Sequence, residues 1–306
     1  MIIFLKRYVS GQGEQMKIGV KLFISFILPY LIVMNCFALP SAPTDISHPG
    51  FVPTISRGGL EVKKVNYGGR DSFLYLPTNK TNLPLIVFGH GQALDESNYL
   101  ELYKALVAQG FAVFHPQYDK GFFDQDWHRM GQDYAGYTIR LLKDYGNRIN
   151  DEKVLFLGHS KGGYIGIMAL SWLGLSKSAW WPKASLFFSP AGYEKEAVSF
   201  IEQNQSISIV WPLSDRIIKK DLIKEIYGAL PVKRKQVIQI KSYRERDAGH
   251  FFVLTKRTIF GGHNGVGPYH YYGVLPWVHG AVNDNDYLYG DEALESGDVT
   301  TFHERW

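Results

Sequence analysis

Four short stretches of this chain carry side chains that could together perform acyl transfer. The first is Gly158-His159-Ser160-Lys161-Gly162-Gly163, which follows the apolar run Val154–Leu157 and precedes a helix-like segment, Tyr164 to Leu173. A serine between a strand and a helix, flanked by glycines, has the form of a nucleophile elbow: the sharp turn projects the hydroxyl above the sheet edge. A serine hydroxyl is a weak nucleophile and needs a base. His250 would take its proton and return it to a leaving group, and Asp215 would fix the imidazole tautomer. Asp221 and Asp247 lie close by in sequence, but Asp215 directly follows an apolar run, which favours it as the acid. The backbone N–H groups of Lys161 and Gln92 would receive the developing oxyanion, with His90-Gly91 shaping the turn. The Lys161 side chain itself is expected at the surface.

These residues fall after apolar runs of strand length. The runs are Leu85–Gly89, Ala112–His115, Val154–Gly158, Leu186–Ser189, Ser208–Trp211 and Val237–Ile240. Segments with helical spacing separate them: Tyr99–Gln109, Gln132–Tyr145, Tyr164–Leu173, Glu194–Asn204 and Lys219–Tyr227. Such alternation predicts a mostly parallel sheet with helices on both faces. Leu60–Asn66 and Arg70–Leu76 flank Tyr67-Gly68-Gly69 and predict an antiparallel hairpin, which brings the sheet to eight strands. In sheets of this kind functional groups gather beyond the carboxyl ends of the strands, which is where Gln92, Ser160, Asp215 and His250 fall.

The first 38 residues differ from the rest. Lys17 and Lys21 precede the apolar run Leu22–Met34, which ends near Asn35-Cys36-Phe37-Ala38. That run is shorter than the roughly 20 residues a membrane span requires. It reads as a secretory signal peptide cleaved after Ala38, with Met16 an alternative start and an uncleaved anchor the competing reading. The expectation is an exported protein, periplasmic or extracellular, with no stable membrane span after cleavage. Lys6, Arg7, Lys17 and Lys21 against Glu14 place most of the net charge of +4 in that leader. The remainder is near neutral, which argues against a nucleic-acid partner. Cys36, the single cysteine, leaves with the leader, so no disulfide is implied. Residues 39–59 read as an extended lead-in, 60–255 as one catalytic domain, and 256–306 as a C-terminal extension packed on it.

The Gly-His-Gly after the first parallel strand, Gly110-Phe111-Ala112-Val113, the elbow at Ser160, then Asp215 and Gly249-His250 in that order resemble the α/β-hydrolase superfamily. Within it the chain is most similar to the lidless dienelactone-hydrolase, chlorophyllase and cutinase-like polyesterase group. Dienelactone hydrolases proper carry cysteine at the elbow, so that part of the group's chemistry is not implied here. The resemblance spans about residues 60–255. It implies a Ser-His-Asp triad of Ser160, His250 and Asp215, an acyl-enzyme intermediate, hydrolysis of carboxylic esters and no cofactor. The substrate would be a small-molecule, lipid or polymer ester. A peptidase or amidase could use the same triad, and a non-catalytic binding protein could be built on the same fold.

Only Pro190 to Ser206 separates the fourth and fifth apolar runs, which leaves no room for a large cap and predicts an open cleft. The loop from Pro116 to Met130 follows a strand end and carries Tyr118, Phe122 and Trp127, which with His90 would form an aromatic substrate wall. The same rings could instead simply anchor a long loop. His263 and His270 have no third ligand at sensible spacing, so no metal is expected. Tyr269 to Ala281 predicts a last aromatic helix interrupted by Pro276, packed on the sheet.

Overall fold

The structure, a computed structural model, describes residues 41–54, 59–121, 123–240, 249–259 and 261–283, and the backbone of 301–303. The leader with Cys36, Phe122, Asp247 and most of the stretch beyond residue 283 lie outside these residues. Among the described residues no helix is long and apolar enough to cross a membrane.

The strands are β1 (Leu60–Tyr67), β2 (Arg70–Pro77), β3 (Leu83–Gly89), β4 (Ala112–His115), β5 (Ile149–His159), β6 (Ala184–Phe188), β7 (Ser206–Pro212), β8 (Arg234–Ile240) and β9 (Thr301–His303). They form one sheet in the order β1-β2-β4-β3-β5-β6-β7-β8-β9. β3 to β8 pair in parallel. The β1–β2 hairpin joins β4 antiparallel at one edge. β9 adds a short antiparallel strand along Ile238–Ile240 at the other edge, one more than the eight expected.

The helices are α1 (Leu100–Ala108), α2 (Trp127–Asp144), α3 (Lys161–Leu175), α4 (Lys195–Val198), α5 (Lys220–Ala229) and α6 (Leu275–Asn283). Side chains of a strand alternate between faces, and here both faces are buried. Leu85 and Val87 of β3 with Val154 and Phe156 of β5 pack against α2 and α3. Ile86 and Phe88 with Leu155 and Leu157 pack against α1 and α6. This two-sided burial is why these strands read as unbroken apolar runs.

Two elements depart from expectation. The segment Glu194–Asn204 yields only the four-residue α4, so β6 and β7 are joined without a cap. Pro276 does not interrupt the last helix. A π turn, His270–Val274, leads into α6, with the Leu275 N–H bonded to His270 C=O, and Pro276 falls in the first turn of α6. Proline's fixed φ suits the first turn of an α-helix, and the change from π to α winding falls immediately before it.

The chain runs from β3 to β4 on one side, then returns to place β5 on the other side of β3. This reversal of winding opens a crevice at the carboxyl ends of β3 and β5.

Candidate active site

Ser160 sits in the single residue between β5 and α3, at φ +54° and ψ −116°. That backbone region is costly for a residue with a side chain and persists only where its surroundings enforce it. They do so here. The Ser160 N–H donates to Phe188 C=O at 2.8 Å, and its carbonyl accepts from Gly163, Tyr164 and Ala191 at 3.0, 3.2 and 3.0 Å. The turn is tight enough to bring backbone against backbone. A Cβ on Gly162 would lie 2.1 Å from Gly89 O, and one on Gly158 would lie 2.3 Å from Gly162 O. The glycines are therefore required by close approach of β3, β5 and the start of α3.

Asp215 lies three residues beyond β7, and His250 follows the connection after β8. His250 Nδ1 is 2.9 Å from Asp215 Oδ2, and both side chains are buried. Asp215 Oδ1 accepts the N–H groups of Ile217 and Ile218 at 2.8 and 2.9 Å. Burial disfavours the charged carboxylate. The hydrogen bond and charge of His250, with the Ile218 N–H, outweigh it and hold the Asp215 pKa below the ordinary value. Asp221 lies in the first turn of α5 with an exposed side chain, so it is not the partner of this imidazole.

His250 is held against the elbow through His159. Its carbonyl lies 2.8 Å from His159 Nε2, and the two rings are 4.9 Å apart between centroids. Ser160 itself is 8% exposed, and its side chain does not cap α3. Lys161 is the first residue of α3, where backbone N–H groups have no intrahelical acceptor. The loop after β3 lies beside it, because Gly89 touches Gly162. The Gly91 N–H is committed to Tyr99 Oη at 3.0 Å, which removes it as an oxyanion donor. Gln92, next in the loop, is exposed.

The expected aromatic wall is reorganised. Tyr118 is fully buried and His90 nearly so; their rings stack at 4.6 Å and 7°. Tyr118 Oη donates to His90 C=O at 2.6 Å, and His90 Nδ1 donates to Gly91 C=O at 3.0 Å. These two residues brace the loops from beneath and present no ring to a cleft. Trp127 opens α2, half-buried, 5.1 Å from the Tyr164 ring, and Phe123 is 85% exposed.

Lys161 also departs from expectation, since its side chain is buried. Its Nζ lies 2.9 Å from Asp119 Oδ2, with side-chain exposures of 3% and 7%. The same ammonium lies 5.6 Å from the centre of the Trp127 ring. A buried ammonium without a counter-ion would be severely destabilising, so Asp119 is an obligatory partner. The residue after Ser160 thus ties the Pro116–Met130 loop to the elbow. Farther along that loop, Arg129 bonds Tyr118 C=O at 2.9 Å and pairs with Asp124 and Asp133.

Among the described residues no three His, Cys, Asp or Glu side chains converge to hold a metal. His270 is instead a core residue. Its Nδ1 accepts the Gly267 N–H and its Nε2 donates to Val253 C=O. Burial drops its pKa to about 4.

A parallel sheet in this order, with a strained serine elbow at the reversal of winding and an Asp–His pair on the strands beyond, has the α/β-hydrolase fold. No family model matches the sequence, and no curated protein matches it. Among solved structures 1064 chains match. One is Thermogutta terrifontis esterase 2 phosphoramylated by tabun, aligned with TM-score 0.56 and 16% identity over 77% of this chain and 97% of that one. So widely used an architecture hosts many chemistries, and at this identity the likeness concerns the fold alone.

Proposed function

We propose that this protein is a serine hydrolase of carboxylic esters. The observation that carries the reading is the buried His250–Asp215 pair at 2.9 Å, held against His159, the residue that precedes a serine at φ +54°. Ser160 Oγ attacks the ester carbonyl while His250 Nε2 takes its proton. Asp215, ionised, keeps the Nδ1 proton in place and stabilises the imidazolium. The oxyanion is received by the N–H groups of Lys161 and Gln92. The alcohol leaves with the proton held by His250, and water then releases the acid by the same steps. The absence of a cap between β6 and β7 supports an open site, with Trp127, beside the Lys161 side chain, as its apolar flank. The comparison esterase is phosphoramylated by tabun, which suggests the probe for the test.

A fluorophosphonate should label the protein, and Ser160→Ala should abolish labelling. Full labelling of that variant would sink the assignment. Turnover of p-nitrophenyl esters in preference to peptide anilides supports an esterase, and the reverse makes the protein an amidase. Export rests on the leader pattern at Lys17–Ala38. Recovery of a mature protein beginning at Leu39 supports it, and an intact N-terminus argues against it.

A further inference from the structure

His159, the last residue of β5, and Tyr99, just before α1, are both fully buried, and their side chains meet. Tyr99 Oη is 2.9 Å from His159 Nδ1. His159 Nε2 is 2.8 Å from His250 C=O. A carbonyl only accepts, so Nε2 carries the ring proton and Nδ1 is the acceptor. The single Tyr99 proton is then donated to Nδ1, and the Tyr99 oxygen is left to accept the Gly91 N–H at 3.0 Å. The result is one directed chain: Gly91 N–H to Tyr99 Oη, Tyr99 O–H to His159 Nδ1, His159 Nε2–H to His250 C=O.

The two ends of this chain lie in different loops. One end is the turn after β3, one residue before Gln92; the other is the backbone of His250. Neither loop belongs to a regular element, and β5 lies between them in the sheet. Gly91 is laid directly on the imidazole, since a Cβ there would stand 3.1 Å from His159 Nδ1. Burial, with His250 as a second cause, drops the His159 pKa to about 3, so the ring stays neutral at neutral pH. Burial also raises the Tyr99 phenol well above its ordinary range.

We propose that His159 and Tyr99 are positioning residues that hold the Gly91-Gln92 turn and the His250 backbone in fixed register about Ser160. The proposal rests on the roles of Ser160 and His250 given above. It assigns work to two side chains that touch no reacting atom. Misplacing a catalytic group by about 1 Å can cost on the order of 100-fold in rate.

The test compares Tyr99→Phe, His159→Phe and His159→Gln in the full chain. Active serines are titrated by fluorophosphonate, and kcat and KM are measured on a p-nitrophenyl ester. Tyr99→Phe keeps the ring and loses two hydrogen bonds. It should lower kcat per titrated serine about tenfold, with KM nearly unchanged. His159→Phe should lower it further, and His159→Gln, whose amide N–H can still reach His250 C=O, should recover part of the loss. Because both residues act in one chain, the double variant should be no worse than His159→Phe alone. A side chain needed only for folding would reduce the number of titratable serines and leave turnover per serine intact, and that outcome overturns the proposal. So does turnover within twofold of wild type in both Tyr99→Phe and His159→Gln, a result readable even where His159→Phe fails to fold. Undiminished labelling of Ser160→Ala, by contrast, would overturn the nucleophile assignment together with this proposal.

Discussion

The sharpest test of the Asp215–His250 pair is Asp215→Asn. The carboxylate accepts three hydrogen bonds: two on Oδ1 from Ile217 and Ile218, at 2.8 and 2.9 Å, and one on Oδ2 from His250 at 2.9 Å. Asparagine offers one acceptor oxygen and one NH2. Placing the NH2 toward Ile217 and Ile218 would set donor against donor twice, so the oxygen stays there and the NH2 turns to His250. His250 Nδ1 must then accept, and its proton moves to Nε2. In that tautomer the ring can no longer take a proton from Ser160. The expected loss is about 10⁴-fold in kcat, or on the order of 5 kcal/mol of barrier, with little change in KM. Both backbone bonds survive, so the fold should lose only about 1–2 kcal/mol. Steady-state hydrolysis of a p-nitrophenyl ester, with circular dichroism as the folding control, measures both. Asp221→Asn, altering an exposed side chain of α5, should hydrolyse normally. A folded Asp215→Asn protein within tenfold of wild type would refute the tautomer reasoning. Loss of activity in Asp247→Asn alone would show that Asp247, and not Asp215, is the acid.

Gly162→Ala should destabilise the chain by about 3 kcal/mol, because its Cβ would meet the Gly89 carbonyl at 2.1 Å and backbone cannot swing aside. A thermal midpoint unchanged from wild type would contradict this. Lys161→Met or Asp119→Leu alone should each cost about 3–5 kcal/mol by stranding a buried charge, whereas the double variant should regain most of it. Strictly additive losses in that cycle would show that the pair is not coupled. Stability should also fall in acid. Burial lowers the His159 and His270 pKa values to about 3 and about 4, whereas the unfolded chain takes up these protons near 6.5. Their contribution is complete above pH 6.5 and drains away as pH falls toward 4, at up to about 1.4 kcal/mol per pH unit for each ring. Denaturant titrations at pH 8, 6 and 5 measure it, and a flat profile would be inconsistent with neutral buried imidazoles.

The central strands were legible because both faces are buried, which leaves an apolar run for each. β5 begins at Ile149, before its apolar run, because Ile149 and Asn150 pair with Leu83 and Pro84 across a register shift that hydropathy does not mark. β9 has three residues and no apolar pattern, so nothing local announces it. The elbow and the positions of Asp215 and His250 were readable from their place after strands. The buried state of Lys161 was not. Lysine is rarely buried without a counter-ion, and its partner Asp119 is 42 residues away. The partners of His159 lie 60 and 91 residues away. Tyr118 and His90 were expected to face a cleft, because composition alone cannot tell which side of a loop a ring occupies.

The Lys161–Asp119 pair also bears on how such a protein can be altered. The stretch after β4 is where a change of substrate preference would first be sought, since it is long, aromatic and beside the elbow. Yet it cannot be exchanged by itself. A foreign segment lacking an acid at position 119 would leave the ammonium next to Ser160 buried and uncompensated. Any graft into this scaffold therefore carries a two-residue contract: it must bring Asp119 with it, or replace Lys161 in the same step.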